Sequence, residues 1–471
     1  MVFSSPLFIF IYLTLTLLGY YVIPMLLRGR GERTIYALRG VWLFAVNLVF
    51  YAWGEPLYVF LMLASITVNY IFGLLIAEAA NRRGKKYLLI ACIAVNLGAL
   101  GYYKYADLFL TTLGLPAMGL TLPIGISFYT FQTMSYPIDV YRGKVPAQRN
   151  YIKFGTFVAL FPQLIAGPIV RYIDVAEQLD RREHSVSKFA DGVTRFTVGL
   201  SKKVLLANNV GALWNWYGAQ SADEISALGA WLGILAFTLQ IYFDFSGYSD
   251  MAVGLGKMIG FDFPENFNYP YTANSVTDFW RRWHITLSSW FRDYVYIPLG
   301  GSRKGTARLM LNLLIVWCLT GFWHGASWNF LMWGLYYAVL LIAEKTFLLK
   351  ALDRLPAIIA RIYTIAVVML GWALFAIEDF GALGSYLSAM LGAGAAIDGA
   401  ALYWLRNYAV TLVISIAACT PLPKLAAAKL AGKLKSSAWS YLKPAAVLIA
   451  LTLCTASLIN SAYNPFLYFR F

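Results

Sequence analysis

Long apolar blocks alternate along this chain with short, mostly basic connections. An α-helix needs about 20 apolar residues to cross the hydrocarbon layer of a bilayer. Blocks that reach or approach this length are Pro6–Leu27, Thr34–Trp53, Pro56–Ala77, Tyr87–Tyr103 and Leu122–Val140. The series continues with Arg195–Trp214, Ile225–Phe243, Leu309–Ala343, Ile362–Ile377, Ala401–Cys419 and Pro444–Ala462. Phe154–Val170 is uncharged too, but Pro162, Gly167 and Pro168 interrupt it, which predicts a re-entrant segment that protein must bury. The pattern predicts an all-α fold. It is a multi-pass transmembrane helical bundle over residues 1–471, with about ten to twelve membrane helices plus re-entrant and interfacial amphipathic helices.

Loop basicity sets an orientation. Arg28, Arg30 and Arg33 fill the first connection, Arg82, Arg83, Lys85 and Lys86 the third, and Arg142, Lys144, Arg149 and Lys153 the fifth. The second carries Glu55, and the fourth Lys104 and Asp107. Odd connections are therefore expected in the cytoplasm and the N-terminus outside. Lys424–Lys443 is basic and expected inside; Glu378–Asp398 is acidic and expected outside. The run from Met1 to Leu27 has no charge, so it reads as a retained first span rather than a cleaved signal.

Composition agrees with the membrane reading. Charged residues make up 13% of the chain, about half the share of a soluble protein, which leaves too little polar surface for a globule in water. The 15 Trp and 32 Tyr suit a chain with two headgroup belts. The net charge of +15 sits in loops, as positive-inside topology requires, and does not point to nucleic acid. Cys92, Cys318, Cys419 and Cys454 are widely separated in apolar runs, and no motif offers a metal site or a disulfide framework.

Chemistry concentrates in residues 262–345. A Pro-punctuated run, Phe263-Pro-Glu-Asn-Phe-Asn-Tyr-Pro-Tyr271, cannot be helical throughout. Ser275-x-x-Asp278 then reads as a capping box. Beyond it, Trp280, Trp283, His284, Leu287, Trp290, Phe291 and Tyr294 fall at helical spacing, which predicts one amphipathic helix along the cytoplasmic interface with His284 facing inward. After the basic turn Ile297-Pro-Leu-Gly-Gly-Ser-Arg-Lys304 come 35 uncharged residues, Leu309–Ala343, with Gly321-Phe-Trp-His-Gly-Ala-Ser-Trp328 near the middle. This block is expected to fold as two helices meeting there, with His324 in the membrane body.

An ionisable residue at that depth is a functional candidate by default. Imidazole, with a reference pKa of about 6.5, is suited to take a proton from a hydroxyl. The third histidine, His184, lies in the polar sequence Arg181-Arg-Glu-His-Ser185 and reads as a solvated loop side chain. Asp244 and Asp250, in Asp244-Phe-Ser-Gly-Tyr-Ser-Asp250, could orient an imidazole, line a channel or bond neighbouring helix ends. Trp323, Trp328 and Trp333 are tunnel-wall candidates, with aromatic core packing the default. Asp244, Trp323 and Asn329, with Arg281, Arg303 and Lys304, make up the candidate donor-binding set. Arg281, Arg282, Arg292, Arg303 and Lys304 form a basic patch suited to the phosphates of a donor or to anionic lipid.

These motifs resemble the membrane-bound O-acyltransferase family, in particular its branch that O-acetylates bacterial exopolysaccharides such as alginate. The resemblance runs over nearly the whole chain. It rests on Met-Val-Phe-Ser-Ser5, Phe161-Pro-Gln-Leu-Ile-Ala-Gly-Pro168, Asp244-Phe-Ser-Gly-Tyr-Ser-Asp250, Asp278-Phe-Trp-Arg-Arg-Trp-His284, Ser289-Trp-Phe-Arg-Asp293, Gly321-Phe-Trp-His324 and Tyr463-Asn-Pro-Phe-Leu-Tyr-Phe-Arg-Phe471. It implies an acyl thioester donor, acetyl-CoA or an acetylated acyl carrier protein, on the cytoplasmic side of a bacterial inner membrane, with no permanently bound cofactor. His324 carries over as the catalytic residue and His284 as its second. It also implies a periplasmic acetyltransferase partner that hands acetyl to the polysaccharide. D-alanyl transfer to teichoic acid is the alternative within the family, since that branch shares both histidine motifs. A polysaccharide or lipid transporter would spread polar residues over several spans. A noncatalytic scaffold of an export complex would tolerate loss of both histidines.

The orientation is directly testable. Cysteines placed in Arg82–Lys86 and Lys424–Lys435 are expected to resist an impermeant thiol reagent added outside, and one at Glu378 to react. Reversed labelling would put the donor on the wrong side.

Overall fold

The computed structural model describes residues 1–27, 29–221, 224–434, 436–460 and 466–467. Arg28 of the first basic loop, residues 461–462 of the last apolar block, and residues 463–465 and 468–471 of the C-terminal motif lie outside the described residues. The helices are α1 (Leu7–Leu26), α2 (Glu32–Gly54), α3 (Tyr58–Glu78), α4 (Arg82–Thr112), α5 (Ile126–Tyr141), α6 (Tyr151–Ala159), α7 (Phe161–Leu164), α8 (Tyr172–Asp180), α9 (Val186–Ser201) and α10 (Asn208–Gly218). There follow α11 (Ala227–Met258), α12 (Val276–Arg282), α13 (Ile285–Phe291), α14 (Thr306–His324), α15 (Trp328–Ala343), α16 (Leu349–Leu352) and α17 (Ala357–Ala376). The last four are α18 (Phe380–Met390), α19 (Gly399–Ala418), α20 (Leu422–Lys433) and α21 (Ser436–Asn460). Among the described residues nine are long and apolar enough to cross a membrane: α1–α4, α11, α14, α17, α19 and α21. The Leu122–Val140 block and the second half of the 309–343 block form helices of 16 residues each, α5 and α15. The chain divides into two compact units: Met1–Thr197 with Tyr248–Glu265, and Val198–Gly247 with Asn266–Phe471.

In the first unit, α3 packs on α4 and α5, and α2 on α6. Polar side chains join the apolar helices: the Asn69 and Asn96 amides exchange two hydrogen bonds, at 2.9 and 3.0 Å, between α3 and α4. The interrupted Phe154–Val170 stretch is buried from end to end. Its backbone break is satisfied locally, because Phe161 N–H donates to Asn47 Oδ1 (3.1 Å) and the Gln163 amide donates to Phe157 O (2.5 Å). Arg195 donates to both Asp250 and Glu265, so Asp250 has a structural partner in this unit.

His184 departs from the sequence expectation. It is half-buried rather than solvated, its Nε2 lies 2.9 Å from the Tyr20 hydroxyl, and the Tyr21 and Tyr36 rings pack against it. Burial, then the Arg39 and Arg182 guanidiniums, push its pKa down to about 4. The flanking sequence is polar, but the loop is held to the first helices by Tyr20, whose hydroxyl also accepts from Arg182 Nε (3.1 Å).

The second unit has one aromatic-rich core, in which Trp280, Trp283, Trp317, Trp333, Tyr337 and Trp372 are buried together. The tightest element pair is α14–α15, where glycines let the two backbones touch. A Cβ on Gly321 would stand 2.3 Å from Phe330 O, and one on Gly334 2.3 Å from Trp317 O. Both neighbours are backbone and cannot swing aside. Gly321→Ala and Gly334→Ala are each expected to destabilise the protein by about 1–3 kcal/mol through overpacking. Gly98→Ala, on an open face of α4, is expected to stay within about 0.5 kcal/mol of the parent. Thermal unfolding of the purified variants in detergent checks both.

Candidate active site

The site segment begins with the extended run after Asn266. Tyr269 takes a left-handed conformation (φ 47°), Pro270 starts a single 3₁₀ turn, and Ser275 caps α12 by accepting from Asp278 N–H at 3.0 Å. A second cap comes from Glu344, just past α15. Its two carboxylate oxygens accept the N–H groups of Val276 and Thr277, each at 2.7 Å. A buried carboxylate on the first N–H groups of a helix satisfies orphan donors and complements the helix dipole. Glu344 thereby ties the start of α12 to the end of α15.

The single amphipathic helix expected over Ser275–Tyr294 is broken. α12 ends at Arg282, Trp283 is extended, His284 turns left-handed with φ 45°, and α13 begins at Ile285. A non-glycine residue in that region costs of order 1–3 kcal/mol and persists only where surroundings enforce it. Here the extended run does so: Asn268 N–H donates to Arg282 O (2.9 Å) and Ile285 N–H to Asn266 O (3.0 Å). The apolar stripe survives because each short helix still buries its own side, with Trp280, Trp283, Leu287, Trp290, Phe291 and Tyr294 all inside.

The break drives His284 into the protein, where it is 1% exposed. Its Nδ1 lies 3.2 Å from Asn266 Oδ1, and its ring stands perpendicular to Phe245 at 4.6 Å. Burial pushes its pKa down to about 3, so the imidazole is neutral at physiological pH. His324 ends α14, and the helix stops there because Gly325 adopts an extended conformation. Phe330 fills the space a Cβ on Gly325 would need. The His324 ring is buried among Trp323 (5.0 Å), Trp333 (4.9 Å) and Phe375 (5.5 Å), all near perpendicular to it. Trp323 also meets the His284 ring, at 5.9 Å. The two histidines, 40 residues apart in sequence, thus both pack against a single indole.

The remaining candidates separate. Asn329 is buried and donates to Leu374 O (3.4 Å) and Phe375 O (3.3 Å), which bolts α15 to the helix carrying Phe375. The carboxylate of Asp244 is engaged by Lys203 Nζ (2.5 Å) and by Leu467 N–H (2.8 Å), with Phe466 over the ammonium. The pair is buried and holds residues 466–467 of the C-terminal motif. In the basic patch, Arg282 is paired with Asp278 and Arg292 with Asp293, whereas Arg281, Arg303 and Lys304 are exposed. Asn266, Glu344 and Lys203 escaped the sequence reading. Glu344 had a signal, as the first charge after 35 uncharged residues. Asn266 had none beyond its place in a Pro-punctuated run.

Comparison with known proteins places this geometry. The model of the membrane-bound O-acyltransferase family matches residues 139–375, which include both buried histidines. A probable alginate O-acetylase of Pseudomonas aeruginosa is 45% identical over 397 residues, covering 80% of this chain and 72% of that protein. A probable alginate O-acetylase of Pseudomonas putida is 38% identical over the whole of both chains. A peptidoglycan O-acetyltransferase of Helicobacter pylori is 34% identical over 83% of this chain and 80% of its own. The chain belongs to the membrane-bound O-acyltransferase family and is a multi-pass membrane acyltransferase.

Proposed function

We propose that the protein takes an acetyl group from a cytoplasmic thioester, acetyl-CoA or an acetylated carrier protein, and passes it across the bacterial inner membrane for O-acetylation of an alginate-type exopolysaccharide. The observation that carries this reading is the pair of buried histidines sharing Trp323. The relatives named for alginate O-acetylation support the choice of polymer. In the transfer, an imidazole nitrogen of His324 takes the proton of an acceptor hydroxyl as its oxygen attacks the thioester carbonyl. The C–S bond breaks, and the imidazolium returns the proton to the departing thiolate, giving an ester and a thiol. His284, whose ring meets the same indole, aligns the reacting groups for transfer. The aromatic walls exclude water, which would otherwise hydrolyse the thioester. A periplasmic acetyltransferase completes delivery to the polymer, and the N-terminus faces the periplasm.

His324→Ala is expected to lower acetyl transfer by at least about 100-fold, the usual scale for a lost general base, with expression and membrane insertion retained. The readout is acetyl ester content of exopolysaccharide in cells carrying only the variant. A variant that acetylates at the parent rate removes His324 from the chemistry, and normal transfer to a different polymer displaces alginate alone.

The donor's phosphates stay in water, where Arg281, Arg303 and Lys304 are exposed. Arg303→Gln combined with Lys304→Gln is expected to raise the apparent donor KM roughly fivefold, the equivalent of about 1 kcal/mol at an exposed charge pair. The assay uses detergent without anionic lipid, with acetyl-CoA and acetylated carrier protein measured separately. An unchanged KM for both donors assigns these residues to lipid anchoring instead.

A further inference from the structure

The left-handed turn at His284 rests on Asn266, and one atom of that residue does most of the holding. Asn266 is 1% exposed. Its Oδ1 receives the Thr286 N–H at 3.2 Å and the Thr286 hydroxyl at 2.9 Å, and it faces His284 Nδ1 at 3.2 Å. A backbone N–H can only donate, so the atom opposite Thr286 N must be the amide oxygen and not its nitrogen. An oxygen already accepting hydrogen bonds presents only lone pairs to the imidazole. Nδ1 must therefore carry the proton, and in a neutral imidazole the lone pair then belongs to Nε2.

We propose that Asn266 is a positioning residue that locks His284 in its Nδ1–H tautomer and so keeps Nε2 as the basic nitrogen. This inference rests on the role given above to His284. Asn266 acts on His284 in two ways. Its backbone carbonyl accepts Ile285 N–H and fixes where the ring enters the core, while its side chain fixes which nitrogen carries the proton. Only the second function depends on the amide. The purely structural alternative makes the side chain a remote cap for α13, whose early Thr286 N–H it accepts. A cap has no influence on a tautomer, so the two readings are separable.

The test uses the full-length protein in detergent, with ¹⁵N-labelled histidine. The bare and protonated nitrogens of imidazole resonate far apart, and the His284 signals are identified by their loss in His284→Gln. Near neutral pH the parent is expected to show protonated Nδ1 and bare Nε2 at His284. Asn266→Ala keeps the backbone bonds and is expected to give a mixed or reversed tautomer. Its kcat is expected to fall roughly tenfold or more, because a wrong tautomer presents a proton where a lone pair is needed, with donor KM within twofold. Asn266→Asp keeps an oxygen acceptor and guards against a folding defect. It is expected to restore the Nδ1–H signal and, because a carboxylate favours the imidazolium, to move the acid limb of the kcat profile to higher pH. A parent spectrum with bare Nδ1 overturns the assignment. So does an Asn266→Ala variant with the parent's tautomer and kcat. The spectra are taken without donor and do not depend on the transfer role of His284. Full activity in His284→Ala would instead sink that role and leave the tautomer result standing.

Discussion

A backbone N–H or C=O left without a partner in a lipid-surrounded interior costs several kcal/mol, and this constraint organises the protein. An uninterrupted helix meets it automatically; each interruption must meet it by a separate device. At residues 159–161 the device is Asn47, which accepts the Phe161 N–H. At Trp283–His284 it is the extended run, which accepts from Ile285 through Asn266 and donates to Arg282 through Asn268. At the start of α12 it is Glu344, with one carboxylate oxygen on each of two N–H groups. Where a helix can be broken is therefore decided by which distant polar side chain can reach the break.

The same constraint shapes the chemistry. His284 leaves the helical path only because Asn266 receives it, and once inside, its burial keeps it uncharged. A neutral imidazole retains a lone pair and suffers no charge desolvation. The charged groups of this unit serve other ends. Lys203 and Asp244 neutralise each other while holding the C-terminal segment. Breaking that pair would leave a buried charge unpaired, a penalty of several kcal/mol. Structural charge and the neutral His284 imidazole are kept on different contacts.

The helices and their apolar faces were legible in the sequence because burial follows residue type at a fixed period. The split of the 309–343 block was legible because Gly321 and Gly325 permit tight backbone geometry, and the helix does stop where Gly325 is extended. The break at His284 was not. Period 3.6 was satisfied straight through residues 280–294, and nothing local opposed a helix. The opposing term is the seam with Asn266 and Asn268, 18 and 14 residues upstream of His284 and Arg282. The same limit explains Asp244 and His184. Asp244 reads as a functional carboxylate until Lys203, far from it in sequence, is seen beside it. His184 sits among charged residues, yet its environment is set by Tyr20, 164 positions away.

Under the proposed function, the basic residues divide between two tasks around an anionic donor. Arg282 lies within the first histidine motif and Arg292 in the motif that follows it, and each carries its own carboxylate neighbour, Asp278 or Asp293. Their pairing limits the positive potential immediately around a neutral imidazole. Such potential would lower the imidazole's proton affinity and weaken it as a base. Arg281, Arg303 and Lys304 are exposed, where water shares the cost of phosphate desolvation. A donor with a charged end and a long neutral arm matches that separation. On that proposal its phosphates would remain with the exposed cations, and only its uncharged thioester would have to enter among the aromatic rings. On the proposed mechanism, arginines buried against the histidines without carboxylate partners would bind phosphate more tightly, at the expense of the proton transfer that follows.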